Sequence, residues 1–446
     1  MRTFAEHQHA VRELLAPVRA ALDEAAGFER VAVSAGDGAP ELDPGSSPLG
    51  RVLALDVDSP MDLPAFANSQ MDGYAVRTAD LAGARSGAPI TLPVSATSAA
   101  GDPVRRLAPG TAAPVMTGAP VPLGADAVVP IEVADPPRFP ALGADRRTAA
   151  AGTVVTFDRP TVAGAYVRAV GTDVARGERL LRAGIRLGPA QLGALAAAGV
   201  TTVAVRRPVS VLLVSTGHEL RAPGERLESG QIHDANTTML AAGLRESGAR
   251  VREVVAPDDA ATVVSAIAAS ADLVDLVVTT GGVSAGAFEV VREALAPLGV
   301  EFTKVAMQPG GPQGLGLARI PRPDGTAGTD RSDRDDVSLP VVAFPGNPVS
   351  ALVSFELFLR PVLRAFAGLT PDRPRARLRL AHDVTSPLDK HQVRRGVLDG
   401  DGDVEVGAPS SHLLHAYANA TVLVHLPVGI GDLPAGAHVD VWRIDD

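Results

Sequence analysis

Two rhythms of apolar and polar residues divide this chain. Val11, Leu14, Leu15, Val18 and Leu22 recur at helical spacing, which predicts an amphipathic helix over residues 4–26. Residues 34–48 are rich in Gly, Pro and Ser and read as a loop, and 51–57 (RVLALDV) as a strand. From about 60 to 207 the pattern is of short β-like pieces cut by Gly and Pro: PITLPVSA, VVPIEV, GTVVTFD and TTVAVRR. Near Pro208 the rhythm changes. VSVLLVS (209–215) is almost continuously apolar, and further strands at 251–255, 273–279, 300–306 and 340–344 alternate with helices at 237–247, 260–270, 288–297 and 347–366. Unbroken apolar strands between helices predict a doubly wound parallel sheet covered on both faces. The last stretch, 376–446, returns to short strands and predicts a small barrel or sandwich. Residues 135–150 and 318–338 read as polar excursions. The fold class expected is α/β and β multidomain.

Composition narrows the chemistry. The chain has 446 residues, enough for about three domains. Lys+Arg is 41 and Asp+Glu is 51, a formal net charge of −10, which argues against nucleic acid or an anionic membrane as the partner. Only Lys304 and Lys390 are lysine and there is no cysteine. Schiff bases and a P-loop lysine are therefore left almost without candidates, and thiolate metal sites and a cysteine nucleophile are excluded. No apolar run reaches the roughly 18 residues of a membrane span. The first residues mix acids and histidines rather than a basic then apolar leader, so a cytoplasmic protein is expected.

In a doubly wound sheet, ligands bind at the carboxyl ends of the strands. Ser215-Thr216-Gly217-His218-Glu219 follows the strand 209–215, Thr279-Thr280-Gly281-Gly282-Val283-Ser284-Ala285-Gly286 follows 273–279, and Phe344-Pro345-Gly346-Asn347-Pro348-Val349-Ser350 follows 340–344. Paired glycines let backbone amides approach a phosphate, and helix starts attract anions. The same segments also suit ordinary tight turns. Glu219 and Glu289 are candidates for holding Mg²⁺ against phosphates; Glu289 equally suits the first turn of a helix. Asn236, in Gly230-Gln231-Ile232-His233-Asp234-Ala235-Asn236, suits either a ligand contact or an N-cap. Asp72, Thr117 and Asp173 stand in polar turns of the first half.

NSQMDGYAV (68–76), VMTGAPVP (115–122), STGHEL (215–220), GQIHDAN (230–236), TTGGVSAG (279–286) and FPGNPVS (344–350) occur in this order. Together they resemble the MoeA family, the molybdopterin molybdenumtransferases, which include the gephyrin E domain. The resemblance spans nearly the whole chain. It implies an elongated homodimer of four subdomains: I (1–58 plus 159–207, linking and dimerising), an inserted β-rich lobe II (59–158), a molybdopterin-binding α/β domain III (208–368) and a C-terminal β-barrel IV (369–446). It implies a Mg²⁺-dependent transfer in which molybdate and adenylylated molybdopterin yield molybdenum cofactor and AMP, at a site between III of one chain and II of the other. A molybdopterin adenylyltransferase and other cofactor-biosynthesis proteins are the implied partners.

Residue by residue, the resemblance marks Asp72, Asp173 and Glu219 as catalytic and Glu219 and Glu289 as metal-binding, with Glu289 in place of the usual Asp. It marks Thr117, Thr216, Gly217, Asp234, Asn236, Gly281, Gly282, Ser284, Gly286, Pro345, Gly346, Asn347, Pro348 and Ser350 as substrate-binding. Arg395 and Ser411 match residues of subdomain IV, the arginine being one that reaches the cleft. The chain also departs from the pattern. The family's KPGKP-like segment reads Met307-Gln308-Pro309-Gly310-Gly311-Pro312-Gln313, so both lysine positions are lost, to Gln308 and Gly311. His218 stands where Asp or Asn is common, and Val290 where Tyr is. Two alternatives follow: a weakened or non-catalytic molybdopterin-binding paralogue, and an adenylyltransferase, which leaves MDGYA and MTGAPVP without a purpose.

Overall fold

A computed structural model describes residues 1–24, 27–33, 47–141, 149–284, 289–321 and 336–445. The α/β region is built on six strands: β1 (Ser210–Thr216), β2 (Arg250–Ala256), β3 (Leu276–Thr280), β4 (Val300–Lys304), β5 (Pro312–Ile320) and β6 (Val337–Phe344). Their spatial order is β2-β1-β3-β6-β5-β4. Val211 and Leu213 of β1 face one core and Leu212 and Val214 the other, so alternate residues are apolar on both sides. The first core takes the helices Ala235–Glu246 and Pro348–Ser354, and the second takes Ala260–Ala268 and Val290–Leu295. A π turn, Phe355–Leu359, carries the helix from Ser354 into Arg360–Phe366.

The sheet is mixed, which corrects the all-parallel expectation. β1, β2, β3 and β6 are parallel, whereas β5 runs antiparallel to both β6 and β4. Glycines hide β5 in the sequence, and packing demands them. A Cβ at Gly314 would lie 2.7 Å from the Phe302 ring, and one at Gly316 2.6 Å from the Gly299 carbonyl oxygen. Residues 318–320 and 337–338, expected in a polar excursion, are therefore strand ends.

The N-terminal helix runs Phe4–Asp23 and opens with a capping box. The Thr3 hydroxyl accepts from the Glu6 amide at 3.2 Å and the Glu6 carboxylate from the Thr3 amide at 2.8 Å. Its buried face, Val11, Leu15 and Leu22, packs into the first α/β core, although the resemblance groups residues 1–58 with 159–207. What does pair there is Phe28–Ala32 with Thr202–Arg206 and Val57–Asp58 with Arg179–Leu181, around Leu53, Leu187 and Leu195.

The inserted lobe is centred on Gly73–Val76, flanked antiparallel by Ala113–Val115 and Ala127–Pro130. Tyr74 and Val76 face one small core and Ala75 the other. The C-terminal domain is a β-rich unit whose main sheet contains Arg375–Arg379, His391–Leu398, Val422–Leu426 and His438–Arg443. Met307–Gln308 joins its edge, parallel to His391 and Gln392, and so ties this domain to the α/β region. Among the described residues no helix is long and apolar enough to cross a membrane.

Candidate active site

β1 leads to one neighbour (β2) on one side and β3 lies on its other side, so strand order reverses between β1 and β3. A cleft of about 390 Å³ opens at their carboxyl ends. The ends of β1 and β3, the turn after β6 and the start of the helix Ala235–Glu246 line it. Of the expected residues, Thr216, Gly217, Glu219, Asp234, Asn236, Gly281, Gly282, Gly346 and Pro348 are all brought together in this lining.

Close backbone approach explains the glycines. Gly281 and Gly282 have φ of +97° and +59°, and a Cβ on Gly281 would lie 3.2 Å from the Thr216 carbonyl oxygen. A Cβ on Gly282 would lie 2.8 Å from the Val291 amide nitrogen, and one on Gly346 would lie 3.2 Å from Gly281 Cα. Asn347 caps the next helix, its side chain accepting from the Ser350 amide at 3.4 Å, and Pro348 takes the first helical position. Pro345 contributes its carbonyl to the Thr280 hydroxyl at 3.2 Å.

The cap of the helix Ala235–Glu246 is Asp234, not Asn236. The Asp234 carboxylate accepts from the Thr237 amide at 2.9 Å and the Thr237 hydroxyl at 2.5 Å. Asn236 instead reaches sideways. Its Nδ2 donates to Thr280 Oγ1 at 3.0 Å and to the Gly346 carbonyl at 2.7 Å.

The acids separate into bound and open ones. Glu219 is exposed in the cleft, and its carboxylate has no hydrogen-bond partner among the described residues. Asp258 lines the same cleft and was not anticipated. Its Oδ2 accepts from the His218 amide at 2.9 Å and faces the His218 ring nitrogen Nδ1 at 3.1 Å. The signal for it was present: Pro257-Asp258-Asp259 directly follows β2, on the same sheet edge. Glu289 is not among the lining residues; it accepts from the Ser284 amide at 2.8 Å and from the Ser284 hydroxyl. Glu219 and Asp258 are thus the two acids in the lining of this cleft, and Glu289 is bonded to Ser284 beside it. Gly286 lies outside the described residues.

No group of three or more His, Asp or Glu able to hold a metal ion occurs among the described residues. Mg²⁺ does not require one, since it usually takes one or two carboxylates, substrate phosphates and water. An open carboxylate at Glu219 and the second oxygen of Asp258 match that donor chemistry.

The lobe motifs form a separate polar point. Asp72 Oδ1 accepts from the Thr117 amide at 2.7 Å and the Thr117 hydroxyl at 2.9 Å, so MDGYA and MTGAPVP meet at their most polar residues. Both are exposed, and neither lines the cleft of its own chain. Asp173 is exposed on a neighbouring loop, held by its amide donating to the Leu63 carbonyl at 2.9 Å.

Arg395 is not among the residues lining this cleft. It is 1% exposed inside the C-terminal domain, where Nη2 donates to the carbonyls of Ala408 at 2.9 Å and Ser410 at 2.8 Å. Burial lowers its pKa from the usual guanidinium value. It thereby braces the loop that carries Ser411, which is half-buried. At the lost lysine positions, Gln308 Oε1 accepts from Gln392 Nε2 at 3.1 Å across the domain joint. A Cβ on Gly311 would lie 3.9 Å from Lys304 Cγ.

Comparison with known proteins agrees with this architecture. Family models match consecutively: the MoeA N-terminal region (domain I and II) at residues 4–199, a probable molybdopterin binding domain at 212–365, and the MoeA C-terminal region (domain IV) at 377–444. The chain is 40% identical over 456 residues, covering all of both chains, to molybdopterin molybdenumtransferase 2 of Mycobacterium tuberculosis. It is 35% identical to molybdopterin molybdenumtransferase 1 of the same species, over 88% of this chain and 92% of that one. A crystal structure of a molybdopterin biosynthesis MoeA protein from Pyrococcus horikoshii superposes with a TM-score of 0.72 at 28% identity, covering 97% of this chain and 98% of that one. This chain belongs to the MoeA family, the transferases of molybdenum cofactor biosynthesis.

Proposed function

We propose that this chain joins molybdate to adenylylated molybdopterin, releasing AMP, in a Mg²⁺-dependent reaction. The observation that carries this reading is the meeting of three close-packed turns with two acids, Glu219 and Asp258, at the switch point of the sheet. Backbone amides and a helix start offer fixed donors to a phosphoanhydride. Glu219 and Asp258 would hold Mg²⁺, which supplies charge neutralisation as AMP leaves. Asn347 and Ser350 fix the turn after β6, and Ser284 with Glu289 the turn after β3. No lysine, cysteine or serine nucleophile is needed, because molybdate is itself an oxyanion.

Asp72 and Thr117 serve the cleft of a second copy in a homodimer, since their own chain's cleft lacks them. The setting is cytoplasmic, with a molybdopterin adenylyltransferase handing over the nucleotide-bearing substrate. Glu219→Ala and Asp72→Ala should each abolish AMP release. Mixed in equal amounts after dissociation, they should recover about a quarter of wild-type activity, because half the dimers then hold one intact site of two. No recovery would refute the shared site.

A weakened paralogue is the second reading. Gln308 is occupied by Gln392, and neither 308 nor 311 carries a charge. The species that supplies the relatives above has two such proteins.

A further inference from the structure

Three turns must keep a fixed spacing if their amides are to face one ligand. Two of them, after β3 and after β6, approach so closely that a Cβ on Gly346 would lie 3.2 Å from Gly281 Cα. Close approach by itself does not hold them together. One side chain spans the gap from a third element. Asn236 is the second residue of the helix Ala235–Glu246, and its Nδ2 uses one N–H on Thr280 Oγ1 at 3.0 Å and the other on the Gly346 carbonyl at 2.7 Å. Thr280 Oγ1 then donates to the Pro345 carbonyl at 3.2 Å, and the Gly281 amide donates to the Phe344 carbonyl at 3.2 Å.

The orientation of this amide is set by its donors. Asn236 Oδ1 is buried and has no partner among the described residues. Turning the amide over would place Oδ1 against the Gly346 carbonyl, an acceptor facing an acceptor. The Gly346 bond therefore fixes which end is nitrogen. With Asp234 already serving as the cap, nothing in the helix itself requires Asn at 236.

We infer that Asn236 is a positioning residue, a clamp that sets the distance between the turn after β3 and the turn after β6. This goes further than a contact with substrate, and it rests on the cleft being the site of the proposed reaction. Asn236→Asp keeps the shape but turns a double donor into an acceptor facing the Gly346 carbonyl.

Two readouts test the clamp separately from the reaction. In hydrogen exchange of the free protein, the Gly281 amide should exchange at least tenfold faster in Asn236→Asp and Asn236→Ala, while amides of the inserted lobe stay unchanged. In calorimetry with AMP and Mg²⁺ as the probe, both variants should bind at least tenfold more weakly. Thr280→Val should match Asn236→Ala, the double variant should be no worse than either, and Thr280→Ser should stay near wild type. Unchanged exchange at Gly281, or additive losses in the double variant, would overturn the clamp. If wild-type protein fails to bind AMP, the proposed reaction fails, and the clamp is still judged by exchange.

Discussion

Burial of two histidines should make the joint between the domains acid-sensitive. His7 is fully buried on the N-terminal helix, meets the Phe358 ring edge-on at 4.6 Å, and has no partner at either ring nitrogen. His425 is buried in the C-terminal domain, 4.3 Å from the Trp442 ring, with Nδ1 3.0 Å from His391 Nε2. His391 in turn stacks on Phe4 at 4.5 Å, so the two histidines belong to one line of rings crossing the joint. Burial lowers the pKa of His7 to about 4 and that of His425 to about 3. A histidine whose pKa is lower in the folded chain binds fewer protons there than in the unfolded chain. Its protonation therefore favours unfolding as pH falls below the unfolded value near 6.5. Between pH 7 and pH 5 each should cost about 2 kcal/mol, or about 4 kcal/mol for the pair. Trp442 is the sole tryptophan, so its fluorescence reports this joint during urea unfolding. His7→Phe gives up no hydrogen bond. It should unfold near the wild-type midpoint at pH 7 and lose about 2 kcal/mol less than wild type at pH 5. Equal losses for variant and wild type would refute the reasoning.

Further outcomes follow from single contacts. Gly73→Ala should destabilise the inserted lobe by about 1–3 kcal/mol or more in proteolysis or unfolding assays, because its Cβ would lie 2.9 Å from Val129 C and 3.1 Å from Pro130 Cα. Arg395→Met should lower stability by about 1–3 kcal/mol, since the Ala408 and Ser410 carbonyls lose their donor; the KM for adenylylated molybdopterin should stay within threefold. In Gly311→Lys the new Cβ meets nothing nearer than Val305 O at 3.4 Å, so the protein should fold, and its KM for molybdate should fall. An unchanged KM would show that the missing cation does not limit this chain.

Much of the site was legible because its chemistry is backbone chemistry. Gly281, Gly282 and Gly346 mark close approach at strand ends, and apolar strands between helices place those ends on one edge. The resemblance marks Asp72 and Thr117 each as site residues, but their contact was not legible, since 45 residues separate them. Other features were hidden for identifiable reasons. β5 carries glycines that its neighbours require, which erases its strand pattern. The stripe of Val11, Leu15 and Leu22 shows that a helix is buried but not which core receives it. Asp258 stands beside Asp259, which caps the next helix by accepting from the Thr262 amide at 2.8 Å, so the pair reads as capping. Arg395 was singled out by the resemblance alone, and no local pattern in RRGVL marks its guanidinium as buried.

Purified wild-type protein, given Mg²⁺, molybdate and adenylylated molybdopterin, should release AMP in step with cofactor formation, and omission of either ion or the Glu219→Ala substitution should stop it. Absence of AMP release at saturating molybdate, with the substrate demonstrably bound, would contradict the account and leave a binding protein in its place.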